Sequence, residues 1–389
     1  MNKKLRWWQA ALIIIISVGA AGVMTKFISM DFSSLEIFAP IEKKIDFQVS
    51  DIYNAVEEDK QGGLLSQEVL VVNVDSFNRE GTMAVVEQIA AYGAKAIGLD
   101  IFFPVSKNDS SNDYLVDIMK QTPNLVCACK VVPKDSTGLF TREDISFYES
   151  YYEPAHKGFV NLDIKHSWNV VRTFHPYVWM TDGKQTASMA LALAQLAAPE
   201  QAEKLLVRGE TPQIIDFTSR EIEVIDAQDL DELSVAERIN GKVVLVGGMS
   251  DNKDIYLTPL HQPTQGVMVH AHALQTILDE SYIETRAEWK NWTIAICICL
   301  LLVSILLFAN QYEPLKYVLN ITVRLLLFVI MYLLVVHGCH VFANTHVYAD
   351  YTPAILMLGF GTLAFDITYA TYGLIRQIYT KRNQNKTHQ

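Results

Sequence analysis

Charge is scarce in this sequence. Of 389 residues, 19% are charged, against about a quarter in a typical soluble domain. Cysteines number five. Cys127 and Cys129 sit two apart on one apolar run, Cys297 and Cys299 two apart on another, and Cys339 stands alone. A bridge between strand residues i and i+2 is strained, so no disulfide framework emerges. Neither GxxxxGK[ST] nor GxGxxG occurs, which excludes the common phosphate and dinucleotide loops. GxSxG is missing too, and Ser250 and the scattered histidines assemble no triad. No internal repeat is present, and no low-complexity linker beyond the polar stretch Lys107–Asn112. No cofactor motif and no metal-ligand set stand out, so neither a cofactor nor a metal is expected.

Two local absences matter more. Residues 1–29 hold Lys3, Lys4, Arg6 and Lys26 but no acid, a net charge of +4. Residues 340–352 hold no Lys or Arg. The whole chain carries −11 at a mean hydropathy of +0.15, an odd pairing that dissolves once the chain is divided. Residues 30–290 contain 22 basic and 40 acidic residues, a net −18, whereas 291–389 carry +3. An acidic domain therefore lies between two basic, apolar ends. Its surface offers no basic face for phosphates, so a nucleic-acid partner is excluded.

Four apolar runs are close to the roughly 20 residues needed to cross a bilayer core of about 30 Å. They are Trp7–Met24, Trp292–Ala309, about Tyr317–Val341, and Pro353–Ile375. The first could instead be a cleaved signal peptide, given its basic start and the small residues Gly19, Ala20, Ala21 and Gly22. Either way the next domain is delivered outside. Lys and Arg accumulate in short cytoplasmic flanks. They occur before the first run, at Lys316, and at Arg376, Lys381, Arg382 and Lys386. Both termini are therefore expected in the cytoplasm, residues 30–290 outside, and three spans in 291–375 before a basic tail, 376–389.

Two charges fall inside those runs. Arg324 is about seven residues in from the cytoplasmic start of the third, and Asp366 about nine in from the cytoplasmic end of the fourth. At 1.5 Å per residue their depths match within about 3 Å. An ion pair stapling the two helices is expected, with a proton or ion relay as the alternative.

The outer region reads as an α/β domain, mainly a parallel sheet, with a β-rich insertion. Glu68–Asp75, Ala94–Phe103 and Asn124–Val132 are apolar on both faces and alternate with helical patterns at Asn78–Tyr92 and Asn112–Gln121. Such strands belong in a buried parallel sheet. Lys242–Gly248 is a further buried strand. Gly158–Thr181 alternates, and predicts antiparallel hairpins. Gln265–Glu280 predicts a helix leading toward the apolar end. Residues 27–56 predict a stalk that either spaces the domain or dimerises.

Ligands of open α/β sheets collect beyond the carboxyl ends of the strands. Three such ends here carry suggestive residues: Asp75 and Ser76; Asp100; and Gly247, Gly248, Ser250 and Asp251, with Asp254 beyond. Asp75, Asp100 and Asp254 on one rim would suit a hard cation or a polyol. Alternatively these acids cap helices or bond loop amides. His270 and His272 are two apart, whereas zinc pairs on helices favour three or four, so they are expected as core or capping residues. His337, Cys339, His340 and His346 crowd one loop, with ordinary interfacial roles expected.

The order of these pieces resembles the second class of CHASE domains, sensory extracellular modules associated with cyclases and histidine kinases. The matching stretches are Val71–Ser76, Ala90–Phe103, Gly158–Asp163 with Val170–Val178, Ser188–Ala197, Gly241–Gly248, Asp251–Leu260, and Gly266–Leu278. With the flanking apolar runs, the resemblance covers about residues 30–375. It implies a multi-pass protein of a bacterial inner membrane with a periplasmic or extracellular sensor of an unidentified small-molecule or ionic stimulus. It also implies a kinase or cyclase output after the last span. Here the 14 residues Arg376–Gln389 follow Ile375, so relay to a separate membrane or cytoplasmic partner is expected, with no catalysis by this chain. Lys165–Asn169 departs from the acidic, glycine-containing turn of the family, which weakens a ligand role there. Two rival readings stay open: a metal-assisted hydrolase using the Asp75/Asp100/Asp254 rim, and a ligand-free scaffold of a membrane complex.

Overall fold

A computed structural model describes residues 7–29, 51–56, 64–105, 108–134, 138–143, 151–162, 170–251, 254–260, 263–311 and 315–387. Most of the stalk and the Lys165–Asn169 turn lie outside the described residues. The chain divides into two compact units, 54–283 and 1–53 with 284–389.

The first unit is built on a sheet whose order is β10-β1-β11-β2-β3-β4, with β5 also on β3. Its strands are β1 (Leu65–Asn73), β2 (Ala96–Leu99), β3 (Leu125–Pro133), β4 (Phe140–Glu143), β5 (His156–Phe159), β10 (Glu221–Asp226) and β11 (Val243–Gly247). All neighbours are parallel except β3 and β4. The apolar strands are buried on both sides, and alternation sends their residues to two cores. Val69, Val71, Ala96, Val126, Val243 and Leu245 face one. Leu70, Val72, Ile97, Leu99, Val244 and Val246 face the other. Each buried Val, Leu or Ile among them stabilises the fold by about 1.5–3 kcal/mol relative to exposure.

Helices cover both faces. On one lie α2 (Arg79–Ala91), α3 (Asp109–Gln121) and α6 (Leu233–Ile239), contributing Met83, Val86, Leu115 and Val235. On the other lie α4 (Met189–Ala197), α5 (Pro199–Arg208) and α7 (Gly266–Leu278), contributing Leu193, Leu205, Val269 and Leu274. Asn78 caps α2 by accepting the Gly81 amide at 2.8 Å, and Ser188 caps α4 through the Leu191 amide at 3.2 Å. Gly93, at φ 82°, ends the α2 turn where a side chain would be strained.

The insertion is β-rich in short pairs. β6 (Thr173–Phe174) pairs with β9 (Gln213–Ile214), and β7 (Tyr177–Trp179) with β8 (Gln185–Ala187), both antiparallel. β12 (Ile255–Leu257) and β13 (Pro263–Gln265) form another hairpin. One expectation is corrected. Gly158 and Phe159 do not open an antiparallel hairpin; they belong to β5, which runs parallel to Val126–Cys129. Alternation suggested a half-exposed ribbon. The strand instead abuts α4 so closely that a Cβ on Gly158 would lie 2.5 Å from the Met189 Cα.

The second unit is helical: α1 (Trp7–Ser29), α8 (Glu288–Ala309), α9 (Lys316–Thr345) and α10 (Thr352–Thr387). All four are long and apolar enough to cross a membrane. Ile13, Ala21, Ala295, Cys299, Leu306, Met357 and Phe365 form the packed interior of α1, α8 and α10. On α9, Tyr317, Phe328 and Tyr332 stay exposed.

The segment between α9 and α10 gathers two distant pieces of chain. Tyr53 is buried there, its hydroxyl donating to the Ala349 carbonyl at 2.9 Å. It packs on Phe342 and Tyr348 and so close to Gly338 that no side chain would fit there. β14 (Glu284–Thr285) pairs in parallel with β15 (Val347–Tyr348). The residues just before and just after the α/β unit are therefore held on one short stretch, 338–349.

Candidate functional site

β11 lies between β1 and β2, although it is made last of the three. After β1 the chain enters α2 on one face of the sheet, while the helix following β11, α7, packs on the other. Adjacent strands whose connections part in this way leave a crevice beyond their carboxyl ends. The crevice edges are fixed by backbone bonds: the Val74 amide donates to Gly247 at 3.1 Å and the Asp100 amide to Val246 at 2.9 Å.

The expected rim residues separate into two groups. Asp75 is engaged in the turn, with Oδ2 accepting the Met249 amide at 3.0 Å. Its Oδ1 lies where a Cβ on Gly248 would be 2.9 Å away. Asp75 therefore bonds a loop amide, bracing β1 against the end of β11. Ser76, Ser250 and Asp251 are exposed loop residues, and the Asp251 carbonyl accepts the Asp254 amide at 3.1 Å.

Asp100 and Asp254 come together below that turn with two residues the sequence did not single out as polar partners, His270 and Tyr256. Asp100 is 10% exposed, and its Oδ2 is 4.0 Å from His270 Nε2. Burial pushes its carboxyl up to about 7. Burial also pushes Asp254 upward, and the negative charge of Asp100 adds to this. A hydrogen bond from Tyr256, the charge of His270 and the Gly266 amide oppose the shift. Burial draws His270 down to about 4, against the pull of Asp254 and a bond to Val160. The site thus has two carboxyls that resist joint ionisation and a neutral imidazole, an arrangement suited to holding a proton or a hydrogen-bonding ligand. α7 begins against it: a Cβ on Gly266 would lie 2.5 Å from Asp254 Oδ2, and the Gly266 amide donates to the Asp254 carbonyl at 3.0 Å.

Among the described residues, no three His, Cys, Asp or Glu side chains are placed to hold a metal ion. His272 is buried away from the pair beside Phe217, and burial draws it down to about 4. The five cysteines form no disulfide. His337 packs on Tyr351 and His346 on Phe342, while Asn344 reaches His340. In the helical unit, Arg324 Nη2 lies 2.5 Å from Asp366 Oδ1.

The strand order, the two-faced burial and the positions of α4 and α7 meet a match to the CHASE2 domain over residues 43–307. The chain belongs to the CHASE2 family. CHASE2 is a family of sensory extracellular domains. No curated protein and no solved structure matches the chain. Within this CHASE2 domain, the sequence pointed to Asp100 and Asp254 but not to His270, Tyr256 or Gly266. The signal for His270 was its distance from the helix start: four residues after Gly266, it returns to the face of α7 that begins against Asp254.

Proposed function

We propose that this protein is a membrane-anchored extracytoplasmic sensor that relays its state through α9 and α10 to a separate partner, without catalysis of its own. The four apolar helices are read as spans, with both termini cytoplasmic and the CHASE2 domain outside. The Asp100–Asp254–His270 cluster is read as an input, responding to a proton or a small polar ligand. The Arg324–Asp366 pair is read as a staple between the last two spans. One observation carries the relay: Tyr53 and β14, the entry to and exit from the α/β unit, are both held on the α9–α10 connection. A shift in either is delivered to the same pair of helices.

The test uses the full chain in lipid nanodiscs, with nitroxides at Tyr317 and Leu374, both exposed. The distance distribution between them is expected to change between pH 8 and pH 6 and to stay in its low-pH form in Asp100→Asn. Tyr53→Ala is expected to abolish the change. A distribution indifferent to pH and to Asp100→Asn would sink the reading.

A further inference from the structure

A second concavity lies away from the crevice, where the β-rich insertion meets the sheet edge. It has a volume of about 580 Å³ and is bounded by β4, the approach to β5, the β7–β8 hairpin, α4 and α5. That size falls in the range of small-molecule sites, roughly 300–1,000 Å³. Its lining combines the charged Arg142, Glu153 and Lys157 with the apolar Leu191, Leu196 and Leu206.

The charged part of the lining contradicts its surroundings. Residues 30–290 carry a net −18, yet here two cations face one carboxylate. Arg142 Nη1 is 3.1 Å from Glu153 Oε1, and Lys157 pairs with the same oxygen. The Lys157 side chain is 6% exposed, whereas Glu153 is 63% exposed. A nearly buried ammonium needs an anion beside it, and the one present is itself mostly exposed to water. Gln185, Thr186 and Gln195 supply further polar contacts on the walls.

We propose that this groove binds a small organic carboxylate with a short apolar tail. The ligand carboxylate takes the place of Glu153 between Arg142 and Lys157. A planar guanidinium matches a carboxylate with two parallel bonds. The tail lies along Leu191, Leu196 and Leu206. Glu153 is the internal stand-in for the ligand and leaves when it arrives. This gives the sensor reading a ligand class at a site separate from the Asp100 cluster. Binding here can be measured whether or not relay through α9 and α10 is upheld.

The experiment is calorimetric titration of the full chain in nanodiscs with sodium hexanoate, subtracting empty nanodiscs, with hexanol and hexylammonium as controls. Saturable binding of hexanoate alone is expected. Arg142→Gln and Lys157→Gln are expected to weaken it on the order of tenfold or more, since each removes a charge-assisted bond. Glu153→Gln is expected to tighten it, a change of opposite sign that general damage to the fold would not produce. Equal heats for hexanol or hexylammonium, no saturable binding, or an unchanged affinity in Arg142→Gln would overturn the proposal. Should Lys157→Gln fail to fold, the half-exposed Arg142 and Glu153 variants decide alone.

Discussion

The two units of this chain accommodate charge by opposite devices. In the CHASE2 domain, Asp100 and Asp254 carry the same charge when ionised, and burial raises the proton affinity of both. In the helical unit, Arg324 and Asp366 are oppositely charged and meet at 2.5 Å. Burial pushes the Asp100 carboxyl up to about 7, so the first device is sensitive to pH near neutrality; the second is a direct ion pair. A like-charged pair and an oppositely charged pair thereby lie in different units.

The sharpest way to break this comparison is to leave one charge alone among the apolar helices. With α9 and α10 proposed as spans, Arg324→Leu is expected to destabilise the protein by about 2.5–3.5 kcal/mol, because Asp366 is left unpaired at membrane depth. Thermal unfolding in nanodiscs checks this, and the double variant with Asp366→Leu should recover most of the loss. Full stability in the single variant would mean that the pair is not a staple.

Removing a buried like charge should have the opposite sign. Asp100 binds a proton more tightly folded than unfolded, so its contribution is fully present below about pH 4 and is lost as pH rises through about 7. Asp100→Asn is therefore expected to stabilise the protein at pH 8 on the order of 2–4 kcal/mol, with the gain vanishing near pH 4. Denaturant melts across that range provide the measurement. No gain at pH 8 would show that the carboxylate is compensated in the folded state.

His270 runs the other way. Its folded value, about 4, lies below its unfolded one, so it contributes stability present above about pH 6.5 and lost as pH falls toward 4. His270→Gln should flatten the acid side of the stability curve by about one proton, worth up to about 1.4 kcal/mol per pH unit. A curve of unchanged slope would show that His270 is protonated in the fold.

The smallest effect is expected at the braced turn. Gly248→Ala pushes Asp75 from the Met249 amide. The loss should be about 1 kcal/mol, with the pH dependence of the Asp100 cluster intact. A changed pH profile would show that turn and cluster are coupled.

Much of the sheet was legible because its strands are apolar on both faces, a pattern that fixes their burial with little reference to partners. α2 and α7 were legible from periodicity. β5 was not, since four residues at an edge carry too short a pattern and Gly158 is chosen by the nearness of Met189. His270 escaped for another reason. Its meeting with Asp100 depends on β11 entering between β1 and β2, a fact of strand order across 170 positions of sequence. The groove of Arg142 and Lys157 escaped similarly, assembled from five separated segments.

That strand order also has a consequence in time. β11 is the bridge of the sheet, yet more than 140 residues separate it from β2. A growing chain that has passed β3 holds β1 and β2 with the seat between them empty and four open strand edges. Pairing across so long a loop is slow to find. The domain therefore cannot close its sheet progressively during synthesis. It waits for Val243–Gly247, and the helix that completes the Asp254 pocket follows within twenty residues. The sheet and its buried carboxyls become real in nearly the same moment, so a partly made chain has no crevice with which to respond.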